Sequence, residues 1–188
     1  MKMHLLTQTE GQLALKAARL YVESAVTRRK PVKDPEFTAI FSENRGVFVT
    51  LSKNGELRGC IGFPYPVMPL GDAIKDAAHE AALKDPRFPP VSEKELSHIK
   101  VEVTILTEPE PLNAGPAARP SAVVVGKHGL IAEMNGYRGL LLPQVATEYG
   151  WTAEEFLQET CHKAGLTLDA WKNPACTILT FEGQIFEE

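Results

Sequence analysis

The chain has 188 residues, of which 44% are hydrophobic and 23% are charged, a composition typical of one soluble globular domain with an apolar core. The net charge is -4 at pH 7, which argues against broad electrostatic binding to nucleic acid or to an anionic membrane. No apolar run approaches the ~18 residues of a membrane span, and residues 1–4 do not begin a signal peptide. We therefore expect a cytoplasmic protein.

The cysteine pattern and the motif content narrow the chemistry further. Cys60, Cys161 and Cys176 form neither an even set for disulfides nor a paired Cys-x-x-Cys zinc pattern. Three distant thiols cannot ligate an iron–sulfur cluster within one chain. The sequence contains no Gly-x-Gly-x-x-Gly, Walker loop, His-Glu-x-x-His or Gly-x-Ser-x-Gly motif. We expect no metal and no cofactor.

The first half of the chain predicts helices that alternate with β-structure. Apolar residues recur at helical spacing from about residue 9 to the basic run before Pro31. Residues 47–61 are β-branched and apolar on both sides of a turn signal, which predicts a hairpin. Residues 70–84 predict a second helix with a small apolar face, and residues 99–105 alternate as a strand.

Two registers are open for this first hairpin. A two-residue turn at Asn54-Gly55 would pair Leu51 with Arg58 and would place a charge on the apolar face. A three-residue loop over residues 53–55 is favoured, because a slip of one residue exchanges the buried and exposed faces. The favoured register collects five apolar side chains on one face: Val47, Val49, Leu51, Leu57 and Ile61. Arg58 and Cys60 then share the opposite face.

The second half begins with a proline-rich stretch at 109–120, which predicts a boundary or excursion between lobes near 107–121. Residues 122–126 and 130–134 predict a second hairpin with Lys127-His128-Gly129 as its turn. Asn135-Gly136 permits a further turn into a strand at 138–142.

The remaining segments predict helices and a last strand. Pro143 starts one helix, and a capping box of Thr152 and Glu155 starts the next. Residues 176–181 predict a closing strand. The whole pattern predicts an α+β protein, 1–188 as one domain, with mainly antiparallel sheets built from hairpins and with flanking helices.

The segment Leu57-Arg58-Gly59-Cys60-Ile61-Gly62 is where the sequence points to chemistry. Side chains two apart on a strand share a face, and a nearby cation favours the thiolate form of cysteine. We therefore expect Cys60 to be more acidic than an ordinary thiol, with Arg58 as the cause. Gly59 and Gly62 leave room for the close approach of a ligand or a neighbouring chain.

This segment and three others together resemble the AMMECR-domain family, whose prokaryotic members are named AmmeMemoRadiSam system protein A. The other segments are Asp85-Pro86-Arg87-Phe88, Val125-Gly126-Lys127-His128-Gly129-Leu130 and Leu141-Leu142-Pro143-Gln144-Val145-Ala146. The resemblance covers nearly the whole chain and leaves only 107–121 unmatched. It implies a compact α+β protein with a larger and a smaller subdomain, and a genomic association with Memo-like and radical-SAM proteins. It implies no established activity.

Three functional hypotheses follow. In the first, the chain is an enzyme or enzyme component: Cys60 is a nucleophile or redox thiol, Arg58 and Arg87 hold a small anionic substrate, and His128 relays a proton. In the second, the groove of residues 57–62, with Gly59 and Gly62, receives a peptide or partner protein without catalysis. In the third, nucleic acid binds to a basic patch, which consists of Arg58, Arg87, Lys127 and Arg138.

Each candidate residue also has a purely structural interpretation. Cys60 fits a small apolar residue within a sheet, and Arg58 fits an ion pair with a carboxylate such as Glu102. Arg87 fits a residue that binds the carbonyl groups at a helix end. His128 fits a solvated turn residue. The spatial arrangement of these side chains decides between the interpretations.

Overall fold

A computed structural model describes residues 5–188, so the residues 1–4 on which the absence of a signal peptide was argued lie outside the described part. The α-helices are α1 (Gln8–Thr27), α2 (Leu70–Leu83), α3 (Arg119–Ala122), α4 (Pro143–Tyr149) and α5 (Ala153–Lys163). The strands are β1 (Val47–Lys53), β2 (Glu56–Phe63), β3 (Ile99–Leu106), β4 (Glu110–Pro111), β5 (Gly129–Met134), β6 (Tyr137–Leu141), β7 (Thr177–Phe181) and β8 (Gly183–Glu187). The predicted α+β class with antiparallel sheets is confirmed.

The chain divides into two compact units. The first comprises Met1–Leu106 with Gln184–Glu188, and the second comprises Thr107–Gly183. The organisation as one domain with two lobes stays a prediction. No helix within the described residues combines the length and apolar character needed to cross a membrane.

The first unit is a four-stranded sheet with two long helices on one face. Its strand order is β2-β1-β3-β8, so β2 lies at an edge. α2 packs on β1 and β2 and also contacts α1. The apolar side chains of alternate positions on β1 are fully buried beneath the helices: Val47, Val49 and Leu51. The small residues on α2, among them Ala77, Ala78 and Ala81, let its backbone approach the sheet closely.

The second unit has a four-stranded sheet of its own, in the order β4-β7-β5-β6. β5 and β6 form a hairpin around Asn135 and Gly136, both of which have positive φ. α4 and α5 contact β5, and the capping box of Thr152 and Glu155 starts α5 as predicted. Phe156, Leu157 and Cys161 of α5 are buried in the core of this unit.

The predicted strand at 122–126 is wrong. α3 ends at Ala122, and the following residues form a turn in which the N–H groups of Lys127 and His128 point to the carbonyl of Val124. The buried Arg119 side chain explains the difference, because it donates to the carbonyls of Trp171 and Cys176 and anchors this segment as a helical turn. His128 therefore precedes β5 and does not lie in a hairpin turn.

Candidate functional site

The motif hairpin combines a tight turn with a β-bulge. Asn54 and Gly55 have φ values of 53° and 81°, the backbone of a two-residue hairpin turn that suits the twist of the strands. Ser52 pairs with Leu57, but the next position, Leu51, pairs with Gly59. Arg58 is thus the extra residue of a β-bulge, which shifts the register by one.

The bulge places Cys60 on the face that the favoured register predicted, although the predicted three-residue loop is absent. Thr50 pairs with Cys60 and Val49 pairs with Ile61. The predicted pairing is therefore wrong by two positions, because a three-residue loop would pair Phe48 with Cys60 and Val47 with Ile61. Leu57 lies before the shift and is 44% exposed, so its predicted place on the apolar face is wrong. The two-residue turn alone would place Arg58 on the apolar face. Because Arg58 is the extra residue of the bulge, the strand keeps this turn and still directs Ile61 to the apolar face.

The space beside both motif glycines is filled by the protein itself. A Cβ on Gly59 would lie 2.3 Å from the carbonyl oxygen of Ala81 on α2. A Cβ on Gly62 would lie 2.3 Å from the carbonyl oxygen of Val47 and 2.6 Å from the ring of Phe48. The glycines therefore allow α2 and β1 to approach β2, and the expected room for a ligand at these two positions is absent.

Asp85 ties the motif strand to the segment that follows α2. Its Oδ2 accepts a hydrogen bond from the backbone N–H of Cys60 at 2.9 Å. Its Oδ1 accepts from the backbone N–H and the Nε of Arg87, both at 3.0 Å. The Arg87 guanidinium holds the pKa of the Asp85 carboxyl well below its ordinary value, and the Cys60 and Arg87 N–H groups add to this effect.

Arg87 completes the cover of the strand edge. Its Nη2 lies 2.7 Å from Oδ2 of Asp85 and donates to the carbonyl oxygen of Cys60 at 3.3 Å. Both backbone groups of Cys60 are therefore bound by the side chains of Asp85 and Arg87. Since β2 is an edge strand, this cover also blocks the addition of another strand at Cys60.

Arg58 has a carboxylate partner of its own. Its Nε and Nη2 donate to Glu95 at 3.0 and 3.2 Å, and Nη2 also reaches the carbonyl of Pro90 at 3.4 Å. Lys53 binds the same carboxylate at 3.0 Å. The Arg58 side chain is only 12% exposed. The partner is thus Glu95 rather than Glu102, and the Arg58 guanidinium holds the pKa of Glu95 well below its ordinary value.

The two arginines meet at one aromatic ring. The guanidinium carbon of Arg58 lies 5.9 Å from the centroid of the Phe88 ring, and that of Arg87 lies 5.5 Å from it. Both distances are within the range of a cation–π contact. Arg58, Cys60 and Arg87 therefore belong to one cluster, in which each guanidinium is paired with a carboxylate.

The predicted acidity of the Cys60 thiol is wrong in direction. Burial raises the pKa of this thiol, and the opposing effects of the Thr50 hydroxyl and the Arg87 charge are smaller. The Cys60 Sγ lies 3.2 Å from the Thr50 Oγ1. Arg58 is not among the causes, and its guanidinium is held by Glu95.

We expect Cys60 to react with iodoacetamide more slowly at neutral pH than an unstructured cysteine does. Cys161 and Cys176 are fully buried, so labelling of the native protein reports on Cys60. Arg58→Ala should leave the rate unchanged, whereas Thr50→Val should lower it further because it removes the hydroxyl that favours the thiolate. Mass spectrometry at a series of pH values measures these rates. A rate at or above that of a free thiol contradicts this expectation.

The other predicted site residues lie in the second unit, where each has local partners. The Nδ1 of His128 accepts from the N–H of Val124 at 3.1 Å, and burial lowers the pKa of His128. Lys127 lies 3.3 Å from Glu182. Arg138 lies 2.8 Å from a carboxylate oxygen of Glu133 on the neighbouring strand position. The grouping of His128 with Cys60 stays a prediction.

Three residues of the cluster were not singled out from the sequence: Asp85, Phe88 and Glu95. Asp85 and Phe88 stand in the segment Asp85-Pro86-Arg87-Phe88, so proximity to Arg87 was their available signal. Glu95 is 37 positions from Arg58 along the chain, and its carboxylate also accepts from the N–H and the hydroxyl of Ser92 in a capping box. Within the described residues, no group of three or more His, Cys, Asp or Glu side chains is placed to hold a metal ion.

The fold and the cluster together define an α+β protein whose edge-strand motif is fixed by two arginine–carboxylate pairs. A family model described as AMMECR1 matches residues 15–186. A protein of Methanothermobacter thermautotrophicus is 52% identical over 190 residues, which cover 100% of this chain and 99% of that protein. A protein of Methanosarcina barkeri is 52% identical over 189 residues, which cover 98% and 93%. The chain belongs to the AMMECR1 family.

A solved structure supports the same assignment. The crystal structure of an uncharacterised protein from Pyrococcus horikoshii matches with a TM-score of 0.82 and 43% sequence identity. The match covers 97% of this chain and 93% of that chain. The resemblance stated from the sequence motifs is confirmed at the level of family and fold.

Proposed function

We propose that this protein is a non-catalytic binding module that holds an acidic segment of a partner protein on the surface around Phe88. This is the second of the three hypotheses, moved from the groove of residues 57–62 to the segment beside it. The segment of residues 57–62 holds this surface in place. Gly59 lets α2 pack closely on β2, and the backbone of Cys60 binds the side chains of Asp85 and Arg87.

The state of Arg87 is the observation that carries the proposal. Its guanidinium is held by Asp85 and by the Cys60 carbonyl, and its side chain is 55% exposed. These bonds use Nε and Nη2, so within residues 5–188 the two N–H groups of Nη1 stay available for an incoming carboxylate. An arginine that is already ordered loses little conformational entropy on binding.

Thiol catalysis has less support from the same geometry. A nucleophilic cysteine needs a lowered pKa or an adjacent base, and burial raises the pKa of Cys60. The Cys60 thiol contacts the Thr50 hydroxyl, and the Cys60 backbone is bound by Asp85 and Arg87. Cys60 therefore contributes its backbone and its small volume.

Tight binding of a small anion or of nucleic acid is also less well supported. Around Phe88, the three cations Lys53, Arg58 and Arg87 are offset by two carboxylates. Lys127 and Arg138 are likewise paired with carboxylates. A weakly positive surface with an aromatic centre suits a polar protein contact.

The first candidates for the partner are the Memo-like and radical-SAM proteins that the family resemblance implies. We expect Arg87→Gln to weaken binding to such a partner at least about tenfold, because it removes a charge-assisted hydrogen bond. Calorimetry with the purified partner from the same organism measures the affinity, and a parallel urea titration checks that the variant is folded.

Two variants serve as controls for this experiment. Arg138→Gln removes another exposed arginine, which is paired with Glu133, and it should leave the affinity unchanged. Cys60→Ser should also bind normally, since the proposal uses no thiol chemistry. If Cys60→Ser loses partner binding while Arg87→Gln binds normally, the proposal is contradicted and the thiol hypothesis is favoured.

A further inference from the structure

The first unit has a hollow between the carboxyl end of α1 and the middle of α2, which we call the basic hollow. Its volume is about 440 Å³, within the range of small-molecule sites. Apolar surface comes from Tyr21, Ala25 and Leu83. The charged surface comes from four permanent cations: Arg28, Arg29, Lys30 and Lys75. Asp76 is the one carboxylate among the described lining residues.

The charges of this hollow differ from those around Phe88. Within residues 5–188, none of the four cations forms an ion pair with a carboxylate. Arg58 and Arg87, in contrast, each have a carboxylate partner. Four cations against the single carboxylate of Asp76 make the described lining locally positive in a chain with a net charge of -4. Such a concentration of one sign attracts a multiply charged anion.

The basic run is held in place at the end of α1. Arg28 is the C-terminal cap of α1 and has the left-handed backbone conformation, with φ 57° and ψ 25°. Glycine is the residue favoured at such a position, and a side chain there is strained. The Ser24 hydroxyl donates to the carbonyl of Arg29 at 2.6 Å. This cap fixes the direction in which the chain leaves α1, so Arg28, Arg29 and Lys30 follow directly beside the hollow.

Positive and negative side chains lie in two neighbouring hollows along α2. An adjoining hollow of about 410 Å³ shares Tyr21 and Lys75 but carries Asp34 and Asp72. The Lys75 ammonium lies 5.9 Å from the centroid of the Tyr21 ring, between the two hollows. An anionic group is therefore directed to the end that holds Arg28 and is repelled from the end that holds Asp72.

We propose that the basic hollow is a binding site for a small molecule with a diphosphate or longer polyphosphate group. Arg28 and Arg29 match phosphate oxygens with paired N–H donors, and Lys30 and Lys75 add point charges. Tyr21, Ala25 and Leu83 contact any organic body that the phosphates carry. The site is separate from the surface around Phe88, so Arg87→Gln leaves phosphate binding unchanged.

Calorimetry at low ionic strength with adenosine diphosphate, pyrophosphate and adenosine tests the site. Adenosine should bind at least about tenfold more weakly than adenosine diphosphate, because the cations recognise the phosphates. If pyrophosphate binds as tightly as adenosine diphosphate, the natural ligand is a free polyphosphate. If pyrophosphate binds more weakly than adenosine diphosphate, the natural ligand is an organic diphosphate. The proposal is overturned if neither adenosine diphosphate nor pyrophosphate binds at millimolar concentration, or if adenosine binds as tightly as adenosine diphosphate.

Variants separate the site from general electrostatics and from misfolding. Arg28→Gly should weaken phosphate binding at least about tenfold, and its unfolding midpoint should be unchanged or higher because glycine adopts the left-handed conformation freely. Lys75→Gln removes the cation that α2 contributes, and it should also weaken phosphate binding. Lys16→Gln removes one exposed cation of α1 that does not line the hollow. Normal binding by both Arg28→Gly and Lys75→Gln, or an equal loss in Lys16→Gln, overturns the proposal.

Discussion

Replacing Gly59 by alanine is expected to destabilise the protein by at least about 2 kcal/mol. Gly59 is buried, and its added Cβ would lie 2.3 Å from the carbonyl oxygen and 3.2 Å from the carbonyl carbon of Ala81. Both are backbone atoms of α2, so no side chain can rotate away and either α2 or β2 must shift. The direction is informative, because alanine within a strand is ordinarily more stable than glycine. Urea unfolding measures the effect.

Gly115→Ala is the matched control for this variant. Gly115 has φ -59°, which alanine adopts without strain, and no atom lies within 4 Å of the Cβ that would be added. The free energy of unfolding should change by no more than about 0.5 kcal/mol or rise slightly, since alanine restricts the unfolded chain. Equal stability of Gly59→Ala and Gly115→Ala would show that α2 does not pack on the glycine.

Local patterns were sufficient for most of the helices and strands. The small apolar stripe of α2 and the alternation over β3 predicted both elements close to their observed bounds. The failure at 122–126 has a long-range cause. Its β-branched composition favours a strand, but Arg119 binds carbonyl groups of Trp171 and Cys176, about fifty residues away along the chain. No pattern within the segment itself contains that information.

The candidate site was predictable as a location but not as an arrangement. The face on which Cys60 lies followed from the demand for a continuous apolar face, but its pairing with Thr50 did not. The bulge at Arg58 was not predicted, and it reconciles that demand with the two-residue Asn-Gly turn. The carboxylates that bind Arg58 and Cys60 come from residues 37 and 25 positions away. A cation beside a thiol was therefore visible in the sequence, whereas its neutralisation by Glu95 was not.

Replacing Asp85 by asparagine should have the larger consequence for the candidate site. The Asp85 side chain is 2% exposed and accepts from the N–H groups of Cys60 and Arg87 as well as from the Arg87 guanidinium. Asparagine keeps one acceptor oxygen and places an amide donor against these donors. We expect a loss of about 2 to 3 kcal/mol at neutral pH, mostly from the partly buried N–H groups of Cys60 and Arg87 that lose a charged acceptor. Arg87 is 55% exposed, so solvent screens its share of the loss.

The pH dependence gives this prediction a second measurement. The folded protein holds the pKa of Asp85 below its ordinary value, so the carboxylate stabilises the fold fully above a pH of about 4 and loses this effect as the pH falls towards the folded pKa. The stability difference between the natural chain and Asp85→Asn should therefore shrink on acidification. Asp169→Asn, at an exposed position, is the control for the loss of one negative charge at neutral pH. A difference that stays constant from neutral to acidic pH contradicts the role of the ionised carboxylate, because a loss of packing alone does not titrate.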